Sequence, residues 1–329
     1  MLWARELIAR NAPVRVRPTR SPSELLSNRV TGAYLGLAIG DALGATVEFL
    51  TPNEIRHQIG VHENITGGGW LRLKAGQVTD DTTMSLALGA SILAKRAVDA
   101  QAAAEAFDAW MRAKPVDIGN TVRRNLIQFR KSGSPEAPAS ENDAGNGAAM
   151  RVLPVALACY GRPEKTTISA SNAQAHVTHH NALSDAACQT LIFMVQDLLA
   201  GLDTIEVERK HAAKLVRTHP IFIYDRRRCD NPSGYIVETM QAVLQSFFAT
   251  ETFEDCLIDI VNRGGDADTT GAIAGMLAGA RYGLNSIPKR WLKALDPKIS
   301  AECSAQAAAL LTLSQETMLA ETLTEPPKI

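Results

Sequence analysis

Nowhere in its 329 residues does the chain run 18 apolar residues in succession, so no membrane-spanning helix is expected. No C-x-x-C pair occurs, and the five cysteines, at 159, 188, 229, 256 and 303, are odd in number. That pattern fits reduced thiols in a cytosolic protein better than a disulfide framework or a zinc ribbon. Aromatic residues make up only 5%, too few for a platform that stacks single-stranded nucleic acid. Charge of neither sign is in excess, with a net of −1 and an isoelectric point near 6.7. No global field therefore recruits nucleic acid or an anionic membrane. Residues 1–20 lack the apolar core of a signal peptide. They carry Arg5, Arg10, Arg15, Arg17 and Arg20 against a single acid, Glu6. That composition reads as a flexible basic extension over residues 1–25, with a partner-docking or targeting arm as the alternative.

Strand signals are scarce as well. Pro220-Ile221-Phe222-Ile223-Tyr224 is one short apolar run, and nothing repeats it at sheet spacing. What the chain does have is alanine-rich segments with apolar residues at helical spacing, over 82–98, 99–113, 120–131, 147–159, 181–201, 234–249 and 301–318. Turn-rich stretches at 60–78, 132–146 and 225–234 separate them. No low-complexity linker divides the chain. The expectation is a compact all-α bundle forming one domain over 26–325.

Two glycine stripes stand out. Gly32, Gly36, Gly40 and Gly44 recur every four residues, as do Gly271, Gly275, Gly279 and Gly283. Each glycine costs a helix roughly 1 kcal/mol relative to alanine. A four-residue stripe lies along one helix face and lets another backbone come close, so both helices are expected deep in the core. Each adjoins an acidic motif: Asp41 and Glu48 with the first, Asp266 and Asp268 with the second.

The chemistry-bearing clusters are Thr79-Asp80-Asp81-Thr82-Thr83 and Gly264-Gly265-Asp266-Ala267-Asp268-Thr269-Thr270. Both lie immediately before apolar helices, where one Asp or Thr is ordinarily a cap. Capping accounts for one oxygen per helix, not for two carboxylates with flanking hydroxyls at each of two helix starts. Adjacent carboxylates repel unless a cation compensates, and Mg²⁺, Mn²⁺ or Ca²⁺ prefers such oxygen ligands. With no Cys or His in either cluster, zinc is disfavoured there. A metal centre shared by the two clusters is one reading; two separate helix caps is the other. Taken as bare acids, Asp41 and Glu48 read as surface or capping groups. Asp117 and Asn120 follow Pro115 where a helix start is expected. Asn146-Gly147-Ala148-Ala149-Met150-Arg151 reads as a plain turn, or as a turn whose N–H groups hold a phosphate. Of His176, His179 and His180, the last two suggest a metal pair, but adjacent residues diverge, which favours a capping or ligand-contact role.

In order, Gly40-Asp41-Ala42-Leu43-Gly44, Glu48-Phe49, Thr79-Asp80-Asp81-Thr82, Gly145 to Arg151, His179 and Gly265 to Gly271 resemble the motifs of the ADP-ribosylglycohydrolase family. The resemblance covers nearly the whole chain after residue 30. Lys114 to Thr121 and Ile223 to Arg228 narrow it to the bacterial branch that removes ADP-ribose from an arginine of nitrogenase iron protein. It implies an all-α, single-domain orthogonal helical bundle, hydrolysis of the N-glycosidic bond, and two Mn²⁺ or Mg²⁺ ions. By motif match, Thr79, Asp80, Asp81, Asp266, Asp268 and Thr269 become the metal ligands. Glu48, Asp117 and Asp80 become the catalytic acids, with Asp117 facing the arginine guanidinium. Asn120, Asn146, Gly147, Ala148, Ala149, Met150, His179 and Tyr224 become the lining of the ADP-ribose cleft. The resemblance further implies an ADP-ribosylated protein as partner, a nitrogen-signalling regulatory protein, and a cytoplasmic site with peripheral membrane contact. Serine-linked ADP-ribose, phosphohydrolysis and non-enzymatic ADP-ribose binding are the competing readings.

Overall fold

The computed structural model describes residues 21–324; most of the basic extension lies outside them. In chain order the helices are α1 (Pro22–Gly44), α2 (Pro52–Gln58), α3 (Asp80–Lys95), α4 (Ala100–Arg112), α5 (Asn120–Ser132), α6 (Leu153–Ala158), α7 (Glu164–Ala175) and α8 (Ala182–Ala200). They continue as α9 (Thr204–Val207), α10 (Ala213–Thr218), α11 (Ile236–Ala249), α12 (Phe253–Val261), α13 (Ala267–Tyr282), α14 (Lys289–Ala294) and α15 (Pro297–Thr324). Among the described residues the only β pairing is two isolated bridges, Gly68 with Leu73 and Gly145 with Tyr235. The all-α expectation holds, and the five cysteines are unpaired.

Local chemistry explains the helix starts. Ser21 and Thr51 each form a capping box, accepting from the N–H of Glu24 and of Glu54 while those glutamates reach back to the cap N–H. A proline follows each cap in the first turn, where its missing N–H is no loss. The periodic segment 147–159 is not one helix. A 3₁₀ turn, Ala149–Arg151, precedes α6, with Pro154 in the first turn of α6. The run from Pro220 closes a 3₁₀ turn at Phe222 rather than forming a strand. Helix α7, EKTTISASNAQA, has a weak apolar stripe and so little periodic signal.

The glycine stripes pack on each other. A Cβ on Gly44 would stand 2.1 Å from the Ala267 carbonyl oxygen, one on Gly40 1.9 Å from that of Gly271, and one on Gly36 2.2 Å from that of Gly275. The clashes are reciprocal: Gly275 and Gly279 would each meet a carbonyl of α1 at 2.0 Å. Residue numbers rise along α1 as they fall along α13, so the helices run antiparallel in backbone contact. All of α13 from Ala267 to Ala280 is buried. The C-terminal end of α1 thereby meets the N-terminal end of α13, which sets Glu48 against Asp266 and Asp268.

Asp41 brings in the third element. It is fully buried, which corrects the surface reading. Its carboxylate accepts from the Thr79 N–H at 3.0 Å, the Thr82 N–H at 3.1 Å and the Thr82 hydroxyl at 2.5 Å. Thr79, the residue at the cap position of α3, makes no side-chain cap bond. Asp41 therefore caps α3 from another helix, and docks the first acidic cluster onto α1.

Candidate active site

The two acidic clusters meet. Thr269 Oγ1 donates to Asp81 Oδ2 at 3.3 Å across 188 residues of chain, and Thr79 Oγ1 donates to the same oxygen at 3.1 Å. Asp80, Asp81 and Asp268 are each at most 6% exposed. Glu48, Asp266 and Asp268 bring carboxylate oxygens within 4.8 Å of one another. Asp80 and Asp81 sit in the first turn of α3 and Asp268 in that of α13, where the positive end of each helix dipole lowers the cost of negative charge.

A two-glycine turn joins Glu48 to α13. Gly264 and Gly265 take positive φ of 68° and 65°, a region that only glycine enters without strain. A Cβ on Gly264 would lie 2.0 Å from the Leu50 carbonyl oxygen, and one on Gly265 2.1 Å from that of Pro232. Room for backbone here allows the Phe49 N–H to donate to Gly265 O at 2.7 Å, and the Gly265 N–H to Leu50 O at 2.9 Å. The Asp266 N–H donates to Pro232 O at 2.7 Å. Asn146 uses its amide hydrogens on Asp266 Oδ2 at 2.5 Å and Thr239 Oγ1 at 2.9 Å, so it orients Asp266.

Burial and mutual repulsion push every carboxyl of the cluster up. Burial raises Glu48 to about 8, with Asp266 and Asp117 adding to it. Burial, then Asp117 and Asp41, raise Asp80 to about 7. Burial lifts Asp81 and Asp268 well above the usual carboxylate range, and Asp266 upward as well. Buried carboxylates in this number are stable as anions only beside positive charge. Asp81 Oδ1 is a buried oxygen with no hydrogen-bond partner, which is costly unless something else occupies it. An oxygen-only donor set of carboxylates and hydroxyls with such an orphan fits a hard divalent cation.

The carboxylates form the floor of a cleft of about 340 Å³. Asp117, Asn120, Asn146, Gly147, Met150 and His179 stand on its walls. His179 is buried and held neutral, pushed down to about 3 by burial and by Arg151 and Arg124. Thr178 Oγ1 accepts from Arg151 Nη2 at 2.7 Å and is hydrogen-bonded to His179 Nδ1 at 2.8 Å. His179 Nε2 is the atom nearest a Cβ built on Gly145, at 3.0 Å. Arg151 organises this wall. Its guanidinium is fully buried, donates to Gly147 O, Gln174 and Thr178, and lies 4.4 Å over the Phe107 ring.

Not every expected residue arrives. Tyr224 stands outside the cleft. Its hydroxyl donates to Glu208 Oε1 at 2.6 Å, and its ring lines a separate depression beside Arg226 to Arg228. Ala148 and Ala149 are fully buried behind the wall and do not line it. Thr79 and Asp81 lie below the floor. One residue that motif reasoning passed over does arrive, beside Phe49 of the Glu48-Phe49 motif. Trp70 donates its indole N–H to Glu48, and Phe49, with positive φ of 64°, lines the mouth. The signal for Trp70 was an aromatic set directly after three glycines.

The sequence profile of the ADP-ribosylglycohydrolase family matches residues 22–320. The chain is 53% identical over 287 residues to the ADP-ribosyl-[dinitrogen reductase] glycohydrolase of Rhodospirillum rubrum, covering 87% of this chain and 97% of that one. It is 34% identical to the ADP-ribosylarginine hydrolase Tri1 of Serratia proteamaculans, over 84% of this chain and 78% of the relative. A solved structure described as an ADP-ribosylglycohydrolase-related protein complex superposes with a TM-score of 0.78 at 35% identity, covering 88% of this chain and 99% of that one.

Proposed function

The chain belongs to the ADP-ribosylglycohydrolase family, and from that premise we propose that it hydrolyses the N-glycosidic bond between ADP-ribose and an arginine side chain, with ADP-ribosylated dinitrogen reductase as substrate. The observation that carries the reading is the convergence of Glu48, Asp266 and Asp268 on the floor of one cleft, with the Asp81–Thr269 contact beneath it. The similarity to the R. rubrum enzyme supplies the substrate.

Thr79, Asp80, Asp81, Asp266, Asp268 and Thr269 would hold two Mn²⁺ or Mg²⁺ ions. When bound, such ions orient ribose hydroxyls and polarise water. The remaining chemistry falls to the protein. A guanidine departs from C1″ only as a protonated group. Asp117, at the cleft wall, is placed to hold the guanidinium and keep that proton on it. Glu48 acts as general base on the attacking water, or stabilises the positive charge developing on the sugar. Its carboxylate is held by the Trp70 indole at 2.6 Å. His179 offers a buried neutral imidazole to ADP-ribose, and Asn146 fixes Asp266. Among the described residues no helix is long and apolar enough to cross a membrane. A cytoplasmic location, a nitrogen-signalling regulator and peripheral membrane contact are parts of the same proposal.

The test is incubation with ADP-ribosylated dinitrogen reductase, with and without Mn²⁺, while product is followed by mass. Cation-dependent release of free ADP-ribose is expected. Release of AMP would replace the reading with phosphohydrolysis, and turnover of serine-linked peptides alone would replace arginine.

A further inference from the structure

Outside the cleft, four side chains from separate elements converge on the turn after α7. His176 closes α7, His180 ends the turn, Glu136 comes from the loop after α5, and Asp185 from the first turn of α8. It is His176 and His180 that face each other, not the neighbours His179 and His180, with ring centroids 3.8 Å apart. Glu136 Oε1 stands 3.4 Å from His176 Nδ1 and 3.4 Å from His180 Nδ1.

We infer that Glu136, His176 and His180 form a second cation site, suited to a borderline transition metal of the Zn²⁺ class and separate from the oxygen-lined cleft. Three observations carry this. An N···O separation of 3.4 Å is longer than an ordinary hydrogen bond. It matches the ligand–ligand edge, about 3.3 Å, of a tetrahedron with Zn–N and Zn–O bonds of about 2.0–2.1 Å. His176 gives its other nitrogen, Nε2, to the Asp185 carboxylate at 3.0 and 3.1 Å. That is the carboxylate–histidine relay which fixes the tautomer of a metal ligand and leaves Nδ1 free. The backbone presets the positions as well. The Ala137 N–H donates to His176 O at 2.8 Å and the Ser140 N–H to His180 O at 3.0 Å, which laces the ligand-bearing strands of chain together.

The two imidazole planes lie 19° apart. A shared cation tips the rings until their in-plane lone pairs converge, and the half-exposed Glu136 follows. The ring hydrogen that His180 Nδ1 now gives to the Ala137 carbonyl at 2.9 Å moves to Nε2 as Nδ1 takes the cation, so the imidazole stays neutral. Three protein ligands leave the fourth position to water. The side chains are 56%, 17% and 26% exposed for Glu136, His176 and His180, so the site is open to solvent. An occupied site would clamp loop 136–140 to the turn that carries His179 into the cleft.

The test is calorimetric titration with Zn²⁺ in excess Mg²⁺, which fills oxygen sites but not imidazole ones, alongside Co²⁺ absorption and thermal melting. One equivalent of Zn²⁺, a visible Co²⁺ band of tetrahedral nitrogen–oxygen type and a Zn²⁺-dependent rise in Tm are expected. His180→Ala should abolish all three, and Asp185→Asn should weaken Zn²⁺ binding about 10-fold, while Mg²⁺ binding in the cleft stays intact. Asp185→Asn preserves shape, so it decides the matter if His180→Ala does not fold. Equal Zn²⁺ binding and Co²⁺ spectra in wild type and variants, or no imidazole-dependent equivalent at all, overturn the site.

Discussion

The Trp70 indole N–H donates to Glu48 Oε2 at 2.6 Å. Trp70 is itself half exposed, and it is held by three successive glycines of positive φ, of which Gly69 would meet the Ala45 carbonyl oxygen at 2.3 Å if it carried a Cβ. The tryptophan thus acts on one oxygen of the proposed base while its ring packs on Phe49, with centroids 5.3 Å apart. A hydrogen bond to a charged group contributes about 1.5–3 kcal/mol. Trp70→Phe retains the ring and loses the donor. It should lower kcat about 10-fold or more with KM nearly unchanged, as steady-state kinetics would show. An equal loss from KM alone would make Trp70 a substrate contact instead.

Gly40→Ala inserts a methyl 1.9 Å from the Gly271 carbonyl oxygen. Backbone cannot yield as a side chain can, so overpacking of at least about 1–3 kcal/mol outweighs the ~1 kcal/mol that alanine adds to helix propensity. Denaturant unfolding should show net destabilisation. Because the α1–α13 contact sets Glu48 against Asp266 and Asp268, Mn²⁺ affinity should fall in the fraction that still folds.

The raised carboxyls fix the sign of the pH dependence. An acid whose pKa is higher folded than unfolded stabilises the protein fully below its unfolded value, and that stability is lost as pH rises through the folded value. Asp41 at about 6, Asp80 at about 7 and Glu48 at about 8 set the window. With chelator, Tm should fall steadily from pH 5 to pH 8. With Mn²⁺ the protein gains most at pH 8, where fewer protons compete with the cation for the carboxylates, so the two melting curves diverge as pH rises. Parallel curves would remove the cation from the acidic floor.

Asp81→Asn removes one ionisable carboxyl from beneath the floor and retains the shape. Without cation it should melt at the same temperature or higher, since a buried unpaired carboxylate is lost. Addition of Mn²⁺ should no longer raise Tm, and turnover should be lost. A variant that is less stable without metal yet still responds to Mn²⁺ would make Asp81 a structural acid only.

The helical class, the two acidic helix starts and the glycine stripes were legible along the chain, because capping, periodicity and glycine cost act within a few residues. The ordered motifs also named most of the cleft. What the stripes do was not legible. Nothing in Gly32 to Gly44 specifies Gly271 to Gly283 as its partner until two backbones are fitted together, and that fit is what joins the acidic clusters. Asp41 looked like a surface or capping acid, and only packing carried it to the start of a different helix. The same holds for the histidines, where neighbours in sequence point apart and residues four apart stack. Tyr224 went the other way, standing outside the cleft with its hydroxyl on Glu208. Local chemistry determined the elements and the candidate acids. Long-range steric complementarity decided which of those acids share a site.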